Sequence, residues 1–117
     1  MTVPSTDGTP AKGLSNGTAT VTTNTTTLTN STPNAIIVAV IYWELNGALP
    51  TLTGVSGGGL TWTKRSGVNT GGISAMEVWW ALAASPLSGV TVTATFSGNQ
   101  DNAAIIVVPF KNVNTST

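Results

Sequence analysis

A chain of 117 residues with 40% hydrophobic and only 7% charged side chains makes one domain with a single modest core, and neutral hydroxyls and amides take the place of the roughly 25% charge usual in soluble domains. The formal net charge is zero, which leaves no long-range field to steer the chain onto nucleic acid or an acidic membrane. Cysteine and histidine are both absent, which excludes disulfides, thiolate chemistry, Ser-His-Asp catalysis and ordinary zinc sites.

Residues 1–17, "MTVPSTDGTPAKGLSNG", are rich in Pro, Gly, Ser and Thr with few large apolar groups. That composition predicts an extended N-terminal arm that orders against a neighbour. Val3, Pro4 and Leu14 are its apolar contact residues. The arm has neither the basic start nor the apolar stretch of a secretory signal. Residues 18–117 then form the single folded domain.

Threonine dominates residues 18–23, and its β-branch favours an edge strand there. After the turn signal "STPN", the run "AIIVAVIYW" (residues 35–43) places apolar side chains on both alternating faces. It is too short to cross a bilayer as a helix. As a sandwich strand it turns one face to the core, and its other face requires cover from the arm or from a partner. Residues 51–56 make a further short strand.

The stretch "VSGGGLTWTKR" (residues 55–65) admits two readings, a phosphate cradle or a tight turn. A phosphate loop ends in Lys-Ser/Thr and opens a helix, whose free amides hold the anion. Here Gly57, Gly58 and Gly59 open an alternating strand instead, and consecutive Lys64 and Arg65 point to opposite faces. The turn reading holds, with glycine supplying positive φ. "SGVNTGG" (66–72) is expected as a long turn, and "ISAMEVWWALA" (73–83) as the next strand.

On that strand Met76, Val78 and Trp80 share one face, expected to be the core side, while Glu77 and Trp79 share the other. Residues 90–96, "VTVTATF", alternate apolar residues with threonine. "SGNQDN" is expected to separate them from "AAIIVVPF" (103–110), which is apolar on both faces, with Pro109 marking a strand end or edge. Six or seven short strands and no 3.6-residue period predict an all-β fold. Its form is an antiparallel β-sandwich, immunoglobulin-like or jelly-roll-like, of six to eight strands.

Candidate chemistry is sparse. Asp7, Glu44, Glu77 and Asp101 are the only carboxylates, and no base is present to activate the many hydroxyls. Glu44 and Glu77 could flank a glycosidic bond only if they faced one groove. Asp7 and Asp101 lack the spacing of a calcium loop. The expectation is a protein without enzymatic activity, cofactor or metal. Trp62 and Trp80 are assigned to the core by strand phase, Trp43 is ambiguous, and Trp79 is expected to look outward. An outward tryptophan contacts a partner chain or stacks on a sugar ring.

From about Asn34 onward the chain resembles an all-β module of bacterial secreted or surface proteins and bacteriophage virion proteins. The segments that carry the likeness are "NAIIVAVIYW", "VSGGGLTWTKR", "AMEVWWALA", "GVTVTATFSG" and "AAIIVVPFKNVNTST". The resemblance brings no catalytic residues. A small chain of this kind, with an arm-like N-terminus, is similar to the decoration, or cement, proteins of phage capsids. That likeness implies a structural protein on the capsid exterior, bound through its arm and its apolar strand faces. The implied partners are the major capsid protein, other virion subunits and further copies of the chain, a trimer foremost, with no nucleic acid and no membrane. Val3, Pro4, Leu14, Trp43 and Trp79 would be the partner-binding residues. The alternative is a carbohydrate-binding or adhesive module of a surface or tail-fibre protein, extracellular or at the cell surface, with a glycan on Trp79 and Trp43.

Overall fold

The computed structural model describes residues 2–24 and 27–115, and of these the side chains of residues 16–24 lie outside the description. Among the described residues every regular element is a strand: β1 (Ser5–Thr6), β2 (Ala11–Asn24), β3 (Ala35–Glu44), β4 (Leu52–Gly57), β5 (Thr63–Thr70), β6 (Ser74–Ala83) and β7 (Val92–Lys111). They form one antiparallel sheet in the order β1-β7-β3-β6-β5, with β2 and β4 also paired to β7. The all-β, sandwich-like architecture matches the expectation from sequence.

The long strand β7 organises the sheet. Its C-terminal half pairs with β3, from Glu44↔Asn102 to Ile36↔Phe110. Its N-terminal half pairs with β4, from Leu52↔Phe96 to Gly57↔Val92. Strand β2 follows β7 through both halves, from Ala11↔Val107 to Asn24↔Thr93, with register shifts between Asn16 and Thr22. Such irregularities bend a strand and increase its twist. The sheet accordingly closes on itself: the Trp43 ring on β3 lies 5.3 Å from that of Phe96 on the N-terminal half of β7.

The core fills the space between these layers. Period-two alternation sends Ala35, Ile37, Ala39, Ile41 and Trp43 of β3 inward, against Val92, Ala94 and Phe96 from one half of β7 and Ala103, Ile105 and Val107 from the other. Alternating small and large side chains let the layers interdigitate. Full burial of each isoleucine contributes about 1.5–3 kcal/mol. The polar edge of Trp43 is met in this core, its indole N–H donating to the Pro50 carbonyl at 2.8 Å.

Three expectations are corrected here. The first is the free arm: Ser5 and Thr6 pair with Lys111 and Phe110, and β2 runs unbroken across residue 17, so residues 11–17 belong to the chain's own sheet. A buried carboxylate locks this segment down. Asp7, 2% exposed, accepts from the amides of Ser31 (3.1 Å) and Thr32 (2.8 Å), the Ser31 hydroxyl (2.9 Å) and the Asn30 side-chain amide (3.3 Å). Its own amide donates to the Pro109 carbonyl.

Secondly, residues 66–70 continue β5 and the reversal occurs at residues 71–73. Thirdly, residues 97–102 are strand, so the two runs read as separate strands are one. Pairing with neighbours overrides local turn composition in both cases. Gly57 ends β4 and Gly58 and Gly59 turn the chain, and the strand expected from Leu60 begins only at Thr63. Gly57, Gly58 and Gly59 have φ of 125°, 68° and 66°, and a Cβ on Gly57 would clash with the Thr91 carbonyl oxygen.

Candidate functional site

The side of the sheet turned away from the core is as apolar as a core. Because β3, β6 and the C-terminal half of β7 are in register, their even-numbered residues line up in rows across the strands. One row runs Leu14, Ala104, Tyr42, Met76, Val68 across β2-β7-β3-β6-β5. The next runs Lys12, Ile106, Val40, Val78, Ser66. Val108, Val38, Trp80 and Thr63 follow, and then Phe110, Ile36 and Leu82. Lys12, at the β2 margin, is the one charged residue in these rows.

Solvent reaches this face. Ile106 is 46% exposed, Leu82 40% and Trp80 37%, while Leu14 and Val68 at the margins reach 67% and 54%. Soluble chains seldom expose contiguous apolar patches beyond a few hundred Å² unless something binds there. One end of the face is polar. The Tyr42 hydroxyl donates to Glu44 Oε2 and the Asn102 amide to Glu44 Oε1, each at 2.6 Å. These bonds, Tyr42's first, hold the Glu44 carboxyl below its usual range, and the same bond raises the Tyr42 hydroxyl. At the other end Trp80 stands between two hollows. One is bordered by Gly58, Gly59, Leu60 and Leu87, the other by Ile36, Leu82, Asn114 and Thr115.

The tryptophans exchange the places expected for two of them. Trp79 is half-buried and packs against the core, and its indole N–H donates to Glu77 Oε2 at 2.8 Å. Lys64 closes that cluster on Glu77 Oε1 at 2.6 Å. Trp80 is the outward one. The strand register is the reason: Trp80 shares the outward parity of Met76 and Leu82, whereas Trp79 shares that of the buried Ala75, Ala81 and Ala83. Trp43, 3% exposed, is a core residue. Trp62 is half-buried and packs on the core, as expected.

Of the other singled-out residues, Leu14 joins the first row of the apolar face, whereas Val3 (75% exposed) and Pro4 precede β1 and stand in solvent. Glu44 and Glu77 point to opposite sides of the sheet, since Glu44 shares the parity of Tyr42 and Glu77 pairs with the buried Ile41. They therefore do not flank one groove. Among the described residues no group of three or more Asp, Glu, His or Cys is placed to hold a metal. What this arrangement offers chemically is apolar area for burial. Sequence reasoning missed Trp80, Met76 and Leu82 as surface residues. The signal for the face itself was the pair of runs, residues 35–43 and 103–110, apolar on both sides.

No protein-family model matches the chain, and no curated protein or solved structure is significantly similar to it.

Proposed function

We propose that the protein is a non-enzymatic structural subunit of a virus particle, a decoration protein on the exterior of a phage capsid. It acts by burying the apolar outer face of β2-β7-β3-β6-β5 on assembly, with the exposed Val3 and Pro4 available to a neighbouring capsid subunit. The observation that carries this reading is the exposed apolar face on a chain with almost no charge. A free protein gains solubility from surface charge, whereas a subunit that spends its life in an assembly needs area to bury. The absence of a long-range field fits attachment by contact rather than by electrostatic steering.

A carbohydrate-binding module is the second reading, and it rests on Trp80, whose exposed indole borders a hollow with the Thr61, Thr63 and Ser85 hydroxyls around it. Aromatic faces of this kind stack on sugar rings. The test is to purify particles from a culture that encodes the chain and probe them with an antibody raised against it. Labelling of intact capsids, at most weakened by Trp80→Ala, is the expected result. Particles that never carry the protein, together with glycan retention that Trp80→Ala abolishes, would overturn the first reading in favour of the second.

A further inference from the structure

We infer that the outer face of β2-β7-β3-β6-β5 is covered by the same face of a second copy of the chain, so that the protein exists in solution as a face-to-face two-fold dimer. This rests on the proposed burial of that face on assembly and names what covers it, leaving the exposed Val3 and Pro4 ahead of β1 as the contacts with a capsid subunit.

Size is the first argument. The rows hold seventeen positions, each about 4.8 Å across the strands by about 6.8 Å along them, a patch of roughly 550 Å². Two such patches bury about 1,100 Å² together, above the roughly 1,000 Å² that a specific interface needs and above most lattice contacts. Half of that would suit only a transient contact.

Shape favours an identical partner. A two-fold axis along β3 would lay the β6 column of one copy over the β7 column of the other, row upon row. Met76 then faces Ala104, and Trp80 faces Val108, so the large residues of one column meet smaller ones of its counterpart. Leu82 meets Phe110, and Val78 meets Ile106. Stacked sheets accept this arrangement at a crossing of about 30° with a layer spacing of about 10 Å. Lys12, on β2, is carried over the β5 column and opposite Ser66, not opposite its own copy. At the polar end Glu44 lies on β3 and would meet its own copy across this axis, so the apposed area stops at the Tyr42 row.

Edge pairing is the rival route to assembly, and β5 resists it. This strand is exposed along its whole length, yet it carries Lys64 and Arg65 at a register irregularity between Lys64 and Ser66. Charge and a bulge are the devices that blunt edges against strand addition. The β5 edge is guarded, while the face is not. A face-to-face pair also replaces the three-fold assembly expected from the sequence.

The experiment is sedimentation equilibrium on the full chain over a dilution series, beside Val40→Lys, which puts a charge at the centre of the face. A wild-type mass twice that of one chain, with Val40→Lys at single-chain mass and an unchanged far-UV circular dichroism spectrum, is the expected outcome. Should Val40→Lys fail to fold, Val40→Cys supplies the answer, because the chain has no other cysteine. Next to the axis, that residue should be captured as a covalent dimer by a short bis-maleimide, whereas Thr95→Cys on the opposite layer should not. A wild-type chain that stays single at every concentration, a trimer, or equal capture at both positions would overturn the inference. A single chain that still labels particles would sink the dimer and leave the particle role standing.

Discussion

The two halves of β7 share an inward pattern and differ on the outside. In the N-terminal half Val92, Ala94 and Phe96 are buried, and Thr93 and Thr95 stand between them. In the C-terminal half Ala103, Ile105 and Val107 are buried in the same way, but Ala104, Ile106, Val108 and Phe110 occupy the outward positions. One strand thus reports two environments. Where threonine alternates, the outer side meets water. Where isoleucine, valine and phenylalanine alternate, it is built to meet something dry, because each exposed aliphatic side chain forgoes about 1.5–3 kcal/mol of available burial.

The sharpest way to break this comparison is to make one substitution on adjacent residues of the C-terminal half. Ile105→Ala should cost about 2–5 kcal/mol in urea unfolding, by lost transfer energy and the cavity left behind. Ile106→Ala, measured at a dilution where chains are separate, should cost under about 1 kcal/mol. Equal losses would mean that the two sides of β7 are buried alike within one chain. The N-terminal half is probed next by Gly57→Ala, since Gly57 pairs with Val92. Positive φ and the Thr91 carbonyl leave no room for a methyl group, and a loss of about 1–3 kcal/mol is expected. Amide exchange should rise along β4 and its partner residues, with the β3 pairing of β7 largely spared.

The smallest expected effect lies at the far end of β7, where Asp7 holds β1 in place. Burial pushes the Asp7 carboxyl up, but the hydrogen bonds from Thr32, Ser31 and Asn30 together hold it below its ordinary 3.8. A depressed folded value means that the bound, ionised form stabilises the fold above the ordinary pKa, and that this stability fades as pH falls through the lower folded value. The unfolding midpoint should therefore drop on acidification from about pH 5 to about pH 2. Glu44, also depressed, adds a contribution of the same sign. Asp7→Asn should flatten part of the slope and lower the midpoint at neutral pH, and an unaltered slope would remove Asp7 from the account.

Much of this was legible in the sequence, for reasons that can be named. Alternation in "VTVTATF" and double-sided apolarity in "AIIVAVIYW" and "AAIIVVPF" follow from the two-residue period of a strand, and they gave the all-β fold and the need for a second covered face. The turn at Gly57, Gly58 and Gly59 was read from backbone sterics alone. What failed needed neighbours. "SGNQDN" has turn composition, yet Gln100 is fully buried and the segment stays extended because β2 and β3 supply its partners. The orientation of Trp79 and Trp80 turned on the register of β6, which sends Trp79 inward with the alanines and leaves Trp80 outside with Met76 and Leu82. Hydrophobicity by itself chose the wrong side of β6.

The position of β7 late in the chain has a consequence for how the protein comes to be made. Strands β1, β2 and β4 pair with β7 and with no other strand among the described residues. During synthesis they leave the ribosome with their hydrogen-bonding edges unmet, and only the β3-β6-β5 portion can pair before residues 92–111 emerge. Such non-local pairing folds slowly and leaves apolar strands open meanwhile. Of the seven strands the last in order is the one that closes both layers, so the pairing of β1, β2 and β4 waits on residues 92–111 and not on a local hairpin.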